Sequence, residues 1–458
     1  MAGLDLSDIQ GDILRSYGND FGLTTYRFFR IDDAEGGRAW LRALLPRVRN
    51  AEPWAAKPDA ALNVAVTAAG VGKLVGHDPA ELGFSEEFCA GMAASAEVLG
   101  DSGPSDPGTW EAKLRDGALH VLTTVNAQTA DALAAELDRL SDDARRAGGV
   151  AEEYTQPAQL LPGAREHFGY ADGFAQPAVA GVDDGDRRVG GGVREKDGWR
   201  ALAPGEFILG YEDEDTREDP KRALLPRAPQ EPYGRSGTYM VWRKLRQDVA
   251  LFRRTLRDAA ARYTDGDHEK LAAKVVGRWR NGAPLVTWPD APPPGDFDAK
   301  QPGVNAFGYA DDDRDGHRCP VGAHIRRSNP RDGLGFDTLL SYRHRIIRRG
   351  MPYGEPLPEG AEDDADRGLI FVCFNASISR QFEGIQAQWL NDGNALHLGH
   401  DSDFLLGHPL GTGKMTVQGD PPFFLGPQGP FVTTRGGAYL FVPGLRALAA
   451  LAGSDAER

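Results

Sequence analysis

The densest chemistry in this chain lies in the run Cys319-Pro320-Val321-Gly322-Ala323-His324-Ile325-Arg326-Arg327-Ser328-Asn329-Pro330-Arg331. One imidazole, His324, stands between an apolar turn and several guanidinium groups. Arginines this close repel one another, so their crowding anticipates an anion. A single imidazole with no further ligand-type residue beyond it suits a cofactor whose other coordination positions are already filled. Haem meets both demands, with one axial imidazole on iron and arginine forks on its two propionates. The competing reading is an ordinary polar residue at the end of an element, since the chain has 10 histidines. His317, Cys319 and His324 are also close enough in sequence for a zinc or other transition-metal site. Against that, proline follows the cysteine and no second ligand pair stands at conventional spacing.

A second stretch is Glu166-His167-Phe168-Gly169-Tyr170-Ala171-Asp172-Gly173-Phe174-Ala175-Gln176-Pro177. Gly169 and Gly173 bracket Asp172 at the spacing GxxDG. Glycines so placed let the backbone approach a flat ligand and aim one carboxylate at it; a plain Asp-Gly turn is the alternative. A third stretch, Arg343-His344-Arg345-Ile346-Ile347-Arg348-Arg349, runs against the overall charge, which is −15 from 52 Lys+Arg and 67 Asp+Glu. The two isoleucines inside it suggest a strand that turns some arginines inward. So acidic a surface disfavours nucleic acid and anionic membranes as partners. No apolar run is long enough to span a bilayer. The segment MAGLDLSDIQGDIL shows no export signal, so a cytoplasmic location is expected. Cys89, Cys319 and Cys373 are odd in number and scattered, which argues against a disulfide framework and leaves Cys319 and Cys373 as buried thiols.

These stretches must be held by more than one ordinary core, because the chain has 458 residues. FGLTTYRFFRI from Phe21 reads as a strand, Arg38 to Val48 as a helix, and ALNVAVTAAGVGKLV from Ala61 as a strand with a short helix. HVLTTVNA from His120 is a further strand, Thr129 caps an amphipathic helix, and a strand follows from Ala151 to Leu161. This is the ferredoxin-like order. It begins again after the turn-rich stretch Val182 to Glu231. GTYMVWRKL from Gly237 reads as a strand, QDVALFRRTLRDAAARY as a helix, GLIFVCFNA from Gly368 as a strand, SISRQFEGIQAQWL as a helix and GGAYLFVPG from Gly436 as a closing strand. Asp290 to Gln301 and Gly354 to Arg367 read as long surface loops. The expected architecture is α+β, with ferredoxin-like domains at 1–228 and 229–458 and antiparallel sheets.

In that order, EHFGYADGFAQP, CPVGAHIRRSNPR and RHRIIRRGMPYG resemble the dye-decolourising peroxidase family, in its larger fungal-like and actinobacterial branch. LSDIQGDIL and FVTTRGGAYLFVPG resemble that family's ends, so the resemblance runs from Leu6 to Leu445. It implies two ferredoxin-like domains of the dimeric α+β barrel type, with haem b held mainly by the C-terminal one. His324 matches the proximal iron ligand, Asp172 the distal aspartate and Arg348 the distal arginine, with Arg349 the competing choice. Leu369 and Phe371 match the apolar residues of the peroxide pocket. Gly169, Gly173, Phe174 and Gln176 would border the cofactor, Arg326 would hold a propionate, and Asn329 would support that loop. Asp420, or Glu383, would hold the Nδ1 proton of His324. Tyr353 and Trp389 would pass electrons from bulky donors at the surface, or else are ordinary packing residues. The implied reaction reduces hydrogen peroxide through an oxo-iron(IV) porphyrin-radical species. Dyes, phenolic compounds, Mn(II) and porphyrins are open as reductants, and the distal carboxylate implies activity shifted toward acid. The alternative is a haem-handling protein that stores, transfers or demetallates the cofactor.

Overall fold

The computed structural model describes residues 3–183, 189–219, 221–222, 227–263, 266–294, 303–335, 338–406 and 414–454. In the first half, strand β1 (Leu23–Ile31) runs into the helix Ala34–Leu44, then β2 (Ala60–Val66), β3 (Val121–Ala127), the helix Ala130–Ala147 and β4 (Val150–Gln159). All pairings are antiparallel, in the order β4-β1-β3-β2. Side-chain caps set the helix starts: Asp33 accepts from the Gly36 N–H, and Thr129 from that of Ala132. Asp33 begins the first of these helices earlier than apolar spacing alone predicts.

A short hairpin, β5 (Val193–Glu195) and β6 (Gly198–Arg200), lies in the connection. The second half then repeats the plan with β7 (Thr238–Gln247), the helix Val249–Ala260, β8 (Ile347–Arg348), β9 (Met351–Tyr353), β10 (Gly368–Asn375), a hairpin of β11 (Met415–Val417) and β12 (Phe423–Leu425), and β13 (Val432–Val442). Its order is β13-β7-β10-β8, with β9 also on β10. In both halves the first strand therefore lies between the fourth and the third. The halves join where Phe441 of β13 meets Val66 of β2, giving one nine-stranded sheet.

Strand alternation divides the second half into two faces. Met240, Trp242, Ile370, Val372 and Phe374 point to a core shared with Tyr26 and Phe28 of β1. Arg243, Leu245 and Gln247 of β7, with Leu369 and Phe371 of β10, point the other way and line a cavity. Sequence periodicity misses the helix His268–Val276, which Asp267 caps through the Lys270 N–H. SISRQFEGIQAQWL is helical, but Ile378–Glu383 and Ile385–Leu390 wind as π-helix. Gly354 to Arg367 carries no helix or strand, as predicted, while residues 295–301 of the other loop lie outside the described residues.

Candidate active site

A cavity of about 320 Å³ lies against the second face of β7 and β10. On one wall, the Pro320–Ala323 turn leads into the short helix His324–Ser328, which places His324 at its first position. Its Nδ1 lies 3.0 Å from Oδ2 of the buried Asp403, and Oδ1 of Asp403 accepts the Leu406 N–H at 2.9 Å. With the Nδ1 proton committed to a carboxylate, Nε2 is left with its lone pair. Burial disfavours the charged imidazole, but Asp403 outweighs it and His324 titrates above its ordinary value. Burial likewise opposes ionisation of Asp403, which His324 and Arg327 overcome. Neither expected partner fills this role. Asp420 is exposed in the β11–β12 turn, and Glu383 accepts the Tyr439 hydroxyl at 2.8 Å.

Another wall carries Asp172. Gly169 and Gly173, with φ of +98° and +92°, put the GxxDG loop in the left-handed region, which a side chain would strain. The Gly173 N–H donates to Asp172 Oδ1 at 2.7 Å, and Nη1 of Arg348 lies 3.1 and 3.2 Å from the two carboxylate oxygens. The Asp172 side chain is 53% exposed, toward the cavity it lines. Burial raises its pKa, but Arg348 and the Gly173 N–H prevail and hold the carboxyl below the ordinary range. Arg349 turns the other way, onto the carbonyls of Asp12 and Ile13, so the pair belongs to Arg348. Leu369, Phe371, Phe174 and Asn329 line the cavity. Gly169, Gly173 and Gln176 do not; Gln176 instead bonds the backbone of Arg348.

Three further guanidiniums line the cavity without a carboxylate within ion-pair distance among the described residues. Arg278 donates to the carbonyls of Gly282 and Val304, Arg331 to those of Asn305 and Phe307, and Arg345 to that of Ala175. Burial pushes Arg278 down to about 10 and Arg345 to about 9. The Tyr309 hydroxyl, buried in the same wall, has no hydrogen-bond partner among the described residues. Uncompensated buried cations beside an orphaned donor call for an anion. With a free imidazole nitrogen on the same cavity, the residues fit an iron porphyrin bearing two carboxylates. Arg326, expected on a propionate, is buried elsewhere: it donates to the carbonyls of Asp313, Cys319 and Arg314 and stacks on Tyr309 at 4.6 Å. Residues two apart on a helix face apart, so Arg326 cannot share the direction of His324.

Among the described residues no group of three His, Cys, Asp or Glu side chains comes together to hold a metal ion, which tells against the zinc reading. Burial pushes the Cys319 thiol up to about 12. Tyr353 and Trp389 are each 2% exposed, so neither is a surface residue. Tyr353 donates to Asp366 at 2.9 Å, and Trp389 packs on His344 at 4.8 Å. Sequence reasoning missed Asp403, Arg278 and Tyr309 altogether, and placed Arg345 only within a run expected to turn some of its arginines inward. Arg331 closes the quoted histidine motif and could have been chosen in place of Arg326.

Family models match residues 8–156, as the DyP dimeric alpha+beta barrel domain, and 206–400, as the C-terminal part of Dyp-type peroxidases. Peroxidase 2 of Mycetinis scorodonius is 30% identical over 97% of this chain and 87% of its own length. The multifunctional dye peroxidase DyP2 of an Amycolatopsis species is 31% identical over 97% of this chain and 96% of its own. A solved dye-decolorizing peroxidase in complex with 2,6-dimethoxyphenol superposes with a TM-score of 0.80, at 26% identity, over 98% of this chain and 100% of that one. Likeness that extends through both halves, on a fold that sets a carboxylate, a guanidinium and an imidazole around one cavity, makes this chain a peroxidase of the dye-decolourising (DyP-type) family.

Proposed function

We propose that this peroxidase holds haem b in the cavity, with His324 on iron and Arg278, Arg331 and Arg345 facing the propionates, and reduces hydrogen peroxide with small phenols or dyes as one-electron donors. The observation that carries this reading is the Asp172–Arg348 pair on the same cavity as an imidazole whose Nδ1 proton is already held. Haem would supply the iron at which the O–O bond breaks and the store for two oxidising equivalents. Ionised Asp172 would take a proton from one oxygen of peroxide and return it to the other, which leaves as water. Arg348 stabilises the negative charge that develops on that departing oxygen, a contribution of about 2.7–4 kcal/mol for one such donor. Asp403 fixes the His324 ring and strengthens its donation. Likeness to a relative solved with 2,6-dimethoxyphenol supports phenolic donors. We take 1–228 and 229–458 as the two units, with the haem mainly in the second.

The test is an absorption spectrum of the haem-loaded protein before and after one equivalent of hydrogen peroxide. A Soret band that shifts within the mixing time, is lost in His324→Ala, and stays but shifts far more slowly in Asp172→Asn and Arg348→Leu is the expected result. A haem-storing protein needs neither distal residue, so unchanged peroxide reaction in both variants would overturn the reading.

A further inference from the structure

We propose that Gln176 is a positioning residue for the peroxide reaction, its carboxamide holding the backbone of Arg348 from the open edge of β8 and so setting Arg348 against Asp172. This rests on the peroxidase reading of that pair given above.

Strand β8 is two residues long and ends the sheet, paired among the described residues with β10 alone through Cys373↔Arg348 and Phe374↔Ile347. The Arg349 N–H donates to the Val372 carbonyl at 2.8 Å, so the ladder to β10 uses the peptide beyond Arg348. In an antiparallel pair the intervening residue turns its own N–H and C=O to the other side. Among the described residues no strand pairs on that side. Gln176 takes its place: the Arg348 N–H donates to Oε1 at 3.1 Å, and Nε2 donates to the Arg348 carbonyl at 3.1 Å. One primary amide thus supplies the acceptor and the donor that a neighbouring peptide would. The Arg348 carbonyl also accepts from Nη1 of Arg349 at 3.0 Å, so without Gln176 the two-residue edge strand keeps one ladder and that single tie, while the Arg348 N–H turns to water.

The location of this clamp gives it a consequence for the chemistry. Gln176 follows Asp172 by four residues on the same loop. The loop that carries the carboxylate therefore also fastens the strand that carries the guanidinium. The adjacent Ala175 carbonyl adds a second tie in the same direction, accepting from Arg345 at 3.3 Å. Gln176 does not line the cavity, so it acts through Arg348 and not on peroxide or haem.

Of the common replacements, alanine supplies neither bond. Glutamic acid supplies both while protonated, since its O–H donates and its C=O accepts. Once ionised it keeps an acceptor for the Arg348 N–H but turns a second lone pair on the Arg348 carbonyl. Haem-loaded wild type, Gln176→Ala and Gln176→Glu are compared by stopped-flow rate with hydrogen peroxide across pH, and by hydrogen–deuterium exchange of the peptide spanning 345–350. Gln176→Ala should hold normal haem content, react about 10- to 100-fold more slowly, lose its activity at a higher pH on the acid side, and exchange faster in that peptide. Gln176→Glu should approach the wild-type rate as pH falls and drop away as its carboxyl ionises. Unchanged rate and acid limb in Gln176→Ala, or unchanged exchange, would overturn the clamp. Should Gln176→Ala fail to fold, a Gln176→Glu profile matching wild type at every pH overturns it, and a ratio climbing toward one in acid supports it. Arg348→Leu separates the two readings. If that variant reacts at the wild-type rate, the peroxidase assignment of the pair fails; if it is slowed and Gln176→Ala is not, only the clamp fails.

Discussion

Asp172 keeps its charge because Arg348 and the Gly173 N–H together outweigh the cost of burial. A carboxyl whose folded pKa is lowered stays ionised above that value and is protonated only as pH falls through it. If Asp172 is the base for peroxide, as proposed, it is present across mild acid, and the rate of peroxide reaction should fall on the acid side only below the ordinary carboxylate range. Arg348→Leu removes the largest lowering influence, so besides slowing the reaction it should raise the pH at which Asp172 protonates, readable in the pH dependence of the residual rate. Asp403→Asn leaves an acceptor on His324 without its charge. The expected outcome is a higher iron reduction potential and haem binding weaker by about 10- to 100-fold, measured by spectroelectrochemistry and haem titration. His324, Asp172 and Arg348 are legible in the sequence because each lies in a short motif whose neighbours share its task. Asp403 is not, because it comes from a loop 79 residues further on and nothing local marks it.

The elements follow from local signals wherever capping and periodicity agree, as in β1, β7, β10 and the helix Ala130–Ala147. Signals fail where another force sets the structure. The helix His268–Val276 is hidden because it is buried on more than one side and lacks a polar stripe. Strand β8 is too short to show a period, and its arginines read as a charged run until the partners of Arg348 and Arg349 are known. Between elements, Asp101 reaches from the segment after the helix Ala96–Leu99 to pair with Arg243 on β7, which also donates to Thr434 on β13. Both side chains of the ion pair are 5% exposed. Asp101→Ala strands a buried guanidinium and should cost about 3–5 kcal/mol of unfolding free energy in guanidinium titration.

At the scale of the molecule, the repeated strand order is legible in the succession of elements, while the join between the halves is not, since one pairing of Phe441 with Val66 leaves no periodic trace. Phe441 is fully buried against Phe84, at 5.0 Å, and Tyr239, at 6.1 Å. Phe441→Ala should lower unfolding free energy by about 3–5 kcal/mol in the same titration. The three guanidiniums without carboxylate partners among the described residues have a different reach. On the proposed reading the described residues enclose positive charge before loading, and the acid groups of the cofactor would complete that electrostatic balance. A porphyrin diester, equal in shape and iron content but neutral at its rim, should therefore load far more weakly than the diacid, and simple anions such as sulfate should steady the empty protein against heat.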